Sequence, residues 1–461
     1  MVQGVVIEND CLVNTNPATG KVISRVPCST SEEIEQMIVL ANQAQHRWVT
    51  TPLEERIDLL RKGIQALARV SDTLVEWIVK EMGKPIREAQ EEMGFALGKD
   101  GEFLDLLLKS LKPETYGNCT VVRDPFGVVA IMSPWNFPVD EILLLALPSL
   151  ASGNTVIVKP SEVVPETGAF LVKTLQTVLP AGVIQVAQGD GKVGQQLVTH
   201  PDIHLIAMTG SSATGQKILQ MAAPQLKRVV LEMGGKDPMI VFDDADLKKA
   251  ASDAVKYSLC NTGQVCCSIE RIYVAESIYD SFQAAAQEIA AQYKVGNGMD
   301  PDVQVGPLVS AVQRDQVKEQ VDDALAKGAK LLHQSSIPDS NGHFYPVTVL
   351  SDLDDGMIVF TKETFGPVVS IAKFDGSEDE AIRLANKTEY GLGSSVYTSD
   401  MEKAKRVAAR IVAGQVGINC YAIENPEVNC PWVGHKSSGF GFHSGVDGFH
   451  QFSIPKTIVF G

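Results

Sequence analysis

The segment Gly263-Gln264-Val265-Cys266 stands 34 residues after Glu232, the acid of the word LEMGGK, and the two together offer a nucleophile and a base. A thiol of lowered pKa attacks a carbonyl carbon far better than a hydroxyl. The thioester it forms needs an activated water for its release, and a carboxylate can supply that activation. Each residue alone has a plainer reading. A cysteine in an apolar neighbourhood is most often an inert buried residue, and Glu232 could be a charge that ends a strand or helix. Cys267 follows Cys266 directly, and the local sequence gives no physical ground for choosing between the two thiols.

The elements that must position these groups follow from periodicity. From Ser31 to Lys109 apolar residues recur at three- and four-residue spacing, as in EERIDLLRKGIQAL and DTLVEWIVKEMG, which predicts helices. The β-like runs CTVVRDP and GVVAIMSP come next. Val156 to Gly215 then alternates: the strand TVIVKP, a helix over Gly168 to Leu179, GVIQVAQ, a helix near Val193 to Val198, HLIAMTG, and a helix from Thr214. The pattern restarts with PMIVFDD, a helix near Leu247 to Leu259, RIYVAES, and a helix from Ile278 to Tyr293. Strand and helix in alternation predict an α/β fold with parallel sheets and right-handed crossovers, which bind ligands at the carboxyl ends of the strands.

Composition narrows the class. The 461 residues suffice for about three domains, and 40 Lys and Arg against 56 Asp and Glu leave a net charge of −16. With no concentrated basic face, nucleic acid is not an expected partner. The opening MVQGVVIENDCLVN lacks the pattern of a secretory signal. Ile142 to Ala151, the richest apolar stretch, contains Pro148 and falls far short of the ~20 residues of a spanning helix. Eight cysteines with no CxxC, and His200 and His204 with no third ligand in sight, point to neither a disulfide scaffold nor a metal site. A soluble protein of the reducing cytoplasm is expected.

Gly189-Asp190-Gly191-Lys192-Val193-Gly194 fits GxGxxG between a strand and a helix. No Asp or Glu occurs between His204 and Val230, however, where the ribose acid of that fingerprint belongs, so Gly191 could equally mark a simple turn.

Six words fall in a fixed order: PWNFP at 134–138, VKPSE at 158–162, TGSSATG at 209–215, LEMGGK at 231–236, GQVCC at 263–267 and KETFGP at 362–367. In this order and spacing the chain resembles the aldehyde dehydrogenase superfamily, from NPATG at 16–20 to GHKSSGFG at 434–441. The resemblance implies two doubly wound parallel-sheet domains and a small β element for oligomerisation. The cofactor domain would be 1–114 and 129–234, the catalytic domain 235–434, and the oligomerisation element 115–128 with 448–461. It selects Cys266 as nucleophile through the G-Q-x-C word, Glu232 as the base that activates water, and Asn136 as the amide that, with the Cys266 N–H, stabilises the oxyanion. For NAD it implies Lys159 and Glu162 at the adenosine ribose, Gly210 and Ser211 near the pyrophosphate, and Glu363 at the nicotinamide ribose with Phe365 beside the cofactor. Pro134, Trp135 and the turn at Gly191 complete that wall.

A helix N-terminus suits phosphate, and the Glu162 carboxylate suits a ribose 2′-hydroxyl but repels a 2′-phosphate, so NAD is expected over NADP, with NADP possible. The expected product is a carboxylic acid. A CoA-acylating relative would not need Glu232, and a non-catalytic paralogue would need none of Cys266, Glu232 and Asn136. The resemblance places Asp140, Glu141 and Leu144 along the substrate tunnel, and with Glu424 in the late loop and Glu92 on the helix near the mouth as further acids this predicts a neutral or cationic aldehyde. An apolar residue such as Leu144 cannot bind a carboxylate, so a semialdehyde stands as the alternative. The tail GHKSSGFGFHSG lacks the acid that follows an Arg in many members, so its contacts are expected to differ. The apolar run Thr457-Ile458-Val459-Phe460 predicts an edge covered by a neighbouring subunit in a homodimer or homotetramer.

Overall fold

The computed structural model describes residues 5–422, 424 and 427–461. The helical stretch resolves into Ser31–Trp48, Leu53–Ala68, Ser71–Met82, Ile86–Gly98 and Glu102–Ser110. The first opens with a capping box: the Thr30 hydroxyl accepts from the Glu33 N–H, and the Glu33 carboxylate accepts from the Thr30 N–H. Two backbone donors that the helix itself leaves unused are thereby satisfied.

These helices pack against a six-stranded sheet ordered Gly439–Phe440, Arg228–Met233, Ile203–Gly210, Val128–Met132, Thr155–Lys159 and Ile184–Val186. The last five strands are parallel, and the first joins antiparallel. The chain winds outward from Val128–Met132 to one edge, then returns to build the other side. The switch point thus falls between Val128–Met132 and Ile203–Gly210, where the carboxyl ends of adjacent strands part and leave a crevice. Every residue of Thr155–Lys159 is buried. Asp140–Ala151, with Pro148 inside it, is apolar almost all round because protein covers it on nearly every side. Ile142, Leu143 and Leu147 are at most 1% exposed, and each such side chain contributes about 1.5–3 kcal/mol through burial.

A second, seven-stranded sheet runs Lys330–Gln334, Thr348–Ser351, Val368–Phe374, Ile269–Ala275, Asp237–Val241, Gly393–Tyr397 and Gln415–Ile418, parallel except at the Lys330–Gln334 edge. The helix Leu247–Leu259 has the expected bounds. The helix expected over Gly168 to Leu179 is Pro165–Gln176: Pro165 starts it, because proline at the first helical position gives up an N–H that would have no partner there. The helix expected from Ile278 is Tyr279–Ala290. Glu114–Tyr116, Cys119–Pro125 and Ser453–Val459 form a separate antiparallel sheet that leaves Ile458, Val459 and Phe460 exposed. Among the described residues no helix is long and apolar enough to cross a membrane.

Candidate active site

The crevice at the switch point opens into a cavity of about 980 Å3. Cys266, Glu232 and Asn136 line it, and so do Pro134, Trp135, Lys159, Glu162, Gly191, Gly210, Ser211, Glu363 and Phe365. The two sheets contribute to it together. Lys159, Gly210 and Glu232 sit at strand carboxyl ends of the first sheet, while Cys266 and Glu363 come from loops of the second.

The structure separates the adjacent thiols. Cys267 is 1% exposed in the apolar core, and the Tyr421 hydroxyl donates to its sulfur at 3.0 Å and to its carbonyl at 2.8 Å. Cys266 is half-buried and faces the cavity. Its thiol is pushed well above the ordinary cysteine range, first by the Cys267 side chain, then by burial and the field of Glu232. This corrects the expected low-pKa thiol: the charged residues around it are the acids Glu232 and Glu141, and nearby negative charge opposes a thiolate. At rest Cys266 is a thiol, and its activation requires a base.

Glu232 is 3% exposed. Its Oε1 accepts from the Trp432 indole Nε1 at 2.7 Å, while Oε2 is buried with no partner. Burial, followed by the nearby charge of Glu141, raises its carboxyl well above the usual range, against the pull of the indole N–H. Such a group can take up a proton at neutral pH. Asn136 is likewise buried, and its Nδ2 donates to the Gln264 carbonyl at 3.1 Å. An amide nitrogen carries two hydrogens, so a second donor remains for a ligand. Asn261 ties this corner together, donating to the carbonyls of Asn136 at 3.1 Å and Gln264 at 3.0 Å. Its left-handed backbone, φ 50°, is held by Glu88, which accepts from the Asn261 N–H at 2.8 Å.

On the cavity's other side Lys159 Nζ lies 3.3 Å from Glu162 Oε2, with both side chains at most 9% exposed. The neighbouring Ser161 hydroxyl is buried without a partner. Ser211 caps the helix Ser212–Ala222 by accepting from the Thr214 N–H. Asp190 caps Gly191–Thr199 with a carboxylate, accepting from the Lys192 N–H at 2.9 Å.

The turn carrying Glu363 and Phe365 rests on a buried ion pair between Lys236, the end of LEMGGK, and Glu270, which lies outside the six words. Glu270 accepts from the Thr364 and Phe365 N–H groups, each at 2.8 Å, and from Lys236 Nζ at 2.6 Å. Glu363 Oε1 accepts from the Gly235 N–H at 3.2 Å, and burial pushes its carboxyl up to about 8. The approach needs glycine: a Cβ on Gly234 would stand 2.2 Å from Glu363 Oε1, and one on Gly235 would stand 2.5 Å from the Cys266 carbonyl. Phe365 meets Trp135 edge to face at 5.4 Å.

The acids expected along the tunnel are differently engaged. Glu92 is fully buried and does not stand at a mouth: it pairs with Lys84 at 2.6 Å and accepts from the Val139 N–H at 2.9 Å, capping the Asp140–Ala151 helix. Asp140 is paired with Lys99, and Glu424 is exposed. Glu141 alone acts on the centre, by raising the proton affinity of both Glu232 and Cys266. It accepts from the Thr209 hydroxyl at 2.9 Å, and burial raises it to about 7. His200 pairs with Glu35 at 3.0 Å.

Sequence reasoning missed Lys236, Glu270, Asn261, Tyr421 and Trp432. Only Lys236 carried a signal, as the end of LEMGGK; the others depend on contacts across long sequence separations. The unusual tail at 434–445 adds further contacts to the site. Its strand Gly439–Phe440 pairs with Glu232 itself, and Ser438 accepts from the Met233 N–H at 2.8 Å.

The pattern of the aldehyde dehydrogenase family matches residues 7–458. A human protein, 2-aminomuconic semialdehyde dehydrogenase, is 35% identical over 96% of this chain and 94% of its own length. Aldehyde dehydrogenase C of Pseudomonas syringae, solved as a mutant with NAD+ and octanal, superposes with a TM-score of 0.94 at 32% identity, covering 98% of this chain and 94% of the other. Betaine aldehyde dehydrogenase of Staphylococcus aureus, solved with NAD+, gives 0.91 at 32% identity over 96% and 90%. The chain belongs to the aldehyde dehydrogenase family.

Proposed function

We propose that the protein oxidises an aldehyde to a carboxylic acid with NAD, through a thiohemiacetal and then a thioester on Cys266. The observation that carries this reading is the convergence on one cavity of a half-buried thiol, a buried carboxyl with one unpartnered oxygen, and an amide with an uncommitted N–H. The Cys266 thiol gives up its proton to solvent, and the sulfur adds to the carbonyl carbon. The second Asn136 N–H, with the Cys266 N–H, receives the oxyanion, an interaction of the kind that contributes about 3–4 kcal/mol. When bound, oxidised NAD supplies the hydride acceptor that converts the thiohemiacetal to the thioester. Glu232 then removes a proton from water, the water oxygen bonds to the acyl carbon, and the Cys266 sulfur leaves.

The cavity's residues fit the dinucleotide. Glu162 and Lys159, with the partnerless Ser161 hydroxyl beside them, suit a ribose, and Glu363 suits the second ribose. Of the two helix N-termini on the cavity, the one capped by the neutral Ser211 hydroxyl suits the pyrophosphate, since Asp190 already places a carboxylate on the other. Glu162 favours NAD over NADP.

With Asp140 and Glu92 paired to lysines, Glu141 is the one acid left to favour a neutral or amino-aldehyde substrate. A semialdehyde is the second reading, favoured by the human relative's substrate. The purified protein should form reduced cofactor and carboxylic acid in equal amounts from NAD and an aldehyde panel, without CoA. A strict requirement for CoA, or no turnover with any aldehyde, would overturn the reading. Solution mass measurement tests the homodimer or homotetramer that the exposed Ser453–Val459 edge favours.

A further inference from the structure

Glu232 is flanked by two groups of opposite effect. On one side the Trp432 indole N–H donates to Oε1 at 2.7 Å, an interaction that favours the ionised carboxylate. Trp432 is held in turn by pairing of Trp432–Val433 with Phe442–His443. On the other side, Glu232 and Thr209 are register neighbours on adjacent parallel strands. The Thr209 hydroxyl donates to Glu141 Oε2 at 2.9 Å, which anchors a second, half-buried carboxyl through the register neighbour of Glu232.

We propose that Trp432 and Glu141 are opposed positioning residues for Glu232. The indole holds its carboxylate in place and ionised, and the Glu141 carboxyl, anchored through Thr209, keeps it able to accept a proton. This rests on the reading of Glu232 as the base. Two carboxyls so placed resist carrying two charges at once and titrate as a pair.

Among the described residues the other leading charge influences on Glu232 are acids. Glu363 from the 362–367 turn and Asp237 from the second sheet also raise Glu232 through their charge, and Glu232 in turn raises the Cys266 thiol. Glu141 is itself influenced by Asp140, Lys99 and Glu92. Among the largest influences on Glu232 the indole N–H is the one that offsets these acids.

The indole proton is also the probe. In a 1H–15N spectrum of the whole protein labelled on tryptophan, the resonance lost in Trp432→Phe is that of Trp432. It should titrate with pH at a midpoint above the ordinary carboxyl range, and its titration should vanish in Glu232→Gln. In Glu141→Gln, which preserves shape, the midpoint should fall by about one pH unit or more. In Trp432→Phe the acid limb of the hydrolytic rate should move the opposite way, to higher pH. A resonance indifferent to Glu232→Gln, or an unmoved midpoint in Glu141→Gln, would overturn the inference. Should Glu232→Gln hydrolyse normally while the resonance still behaves as described, the base reading fails and the juxtaposition stands.

Discussion

Replacing Glu270 with Gln tests whether the buried ion pair supports the cofactor side of the cavity. Lys236 is fully buried, and in the variant it loses its charged partner and keeps only neutral acceptors, among them the Thr364 hydroxyl at 2.9 Å. Burial already lowers its proton affinity, and Glu270 is the largest influence opposing that. Without Glu270 the lysine must either stay charged in an apolar site or lose its proton. Deprotonating a lysine in water at pH 7 costs roughly 5 kcal/mol, which sets a ceiling. Removing one member of a buried pair costs about 3–5 kcal/mol, which falls beneath it. The sign follows from proton counts. In the variant Lys236 is neutral when folded and charged when unfolded, so the unfolded state binds more protons. Stability should then rise with pH, by up to ~1.4 kcal/mol per unit, and approach the wild type as the solution nears the lysine's unfolded value. Urea denaturation at pH 7 and pH 9 reads both quantities. The same variant leaves one acceptor oxygen where Glu270 has two, so either the Thr364 or the Phe365 N–H loses its partner, and NAD affinity, by isothermal titration, should fall about tenfold, or ~1.4 kcal/mol. A variant as stable as the wild type at pH 7 with unchanged NAD affinity would refute the support role.

Cys266→Ala should abolish reduced-cofactor formation, whereas Cys267→Ala should keep most of it and lose about 1 kcal/mol of stability with the Tyr421 contact; the reverse ranking in the steady-state assay would reassign the nucleophile. Glu162→Ser should raise NADP use relative to NAD, because Lys159 is then left facing the 2′-phosphate; an unchanged ratio of kcat/KM would move the ribose site. A cationic aldehyde such as betaine aldehyde should outperform succinic semialdehyde, and Glu141→Gln should narrow the difference. A carboxylate about 5 Å from a substrate charge is worth ~1 kcal/mol after screening, a several-fold effect. A clear preference of the wild type for the semialdehyde would defeat this.

The alternation of strand and helix and the six words carried the α/β fold into the sequence, because period and local turn chemistry are short-range properties. Leu247–Leu259 is legible for that reason, with Asp246 capping it. Long-range pairing is not. Glu92 is read as lying near the tunnel's mouth, and only the tertiary contact with Lys84 and the Val139 N–H takes it inside. Cys266 and Cys267 share one sequence environment, and they differ because a strand turn sends one sulfur to Tyr421, 154 residues away, and leaves the other facing the cavity. Trp432 and Glu232 meet across 200 residues, where no periodicity reports.

The central claim is that Cys266 carries the acyl group and Glu232 releases it. Rapid mixing of Glu232→Gln with NAD and an aldehyde, followed by acid quench and peptide mass mapping, tests both at once. The account predicts a burst of reduced cofactor of up to about one equivalent per active site, then a slow phase, with the acyl mass on the peptide at Cys266. Equal loss of burst and steady rate, with no acyl group on Cys266, would contradict it.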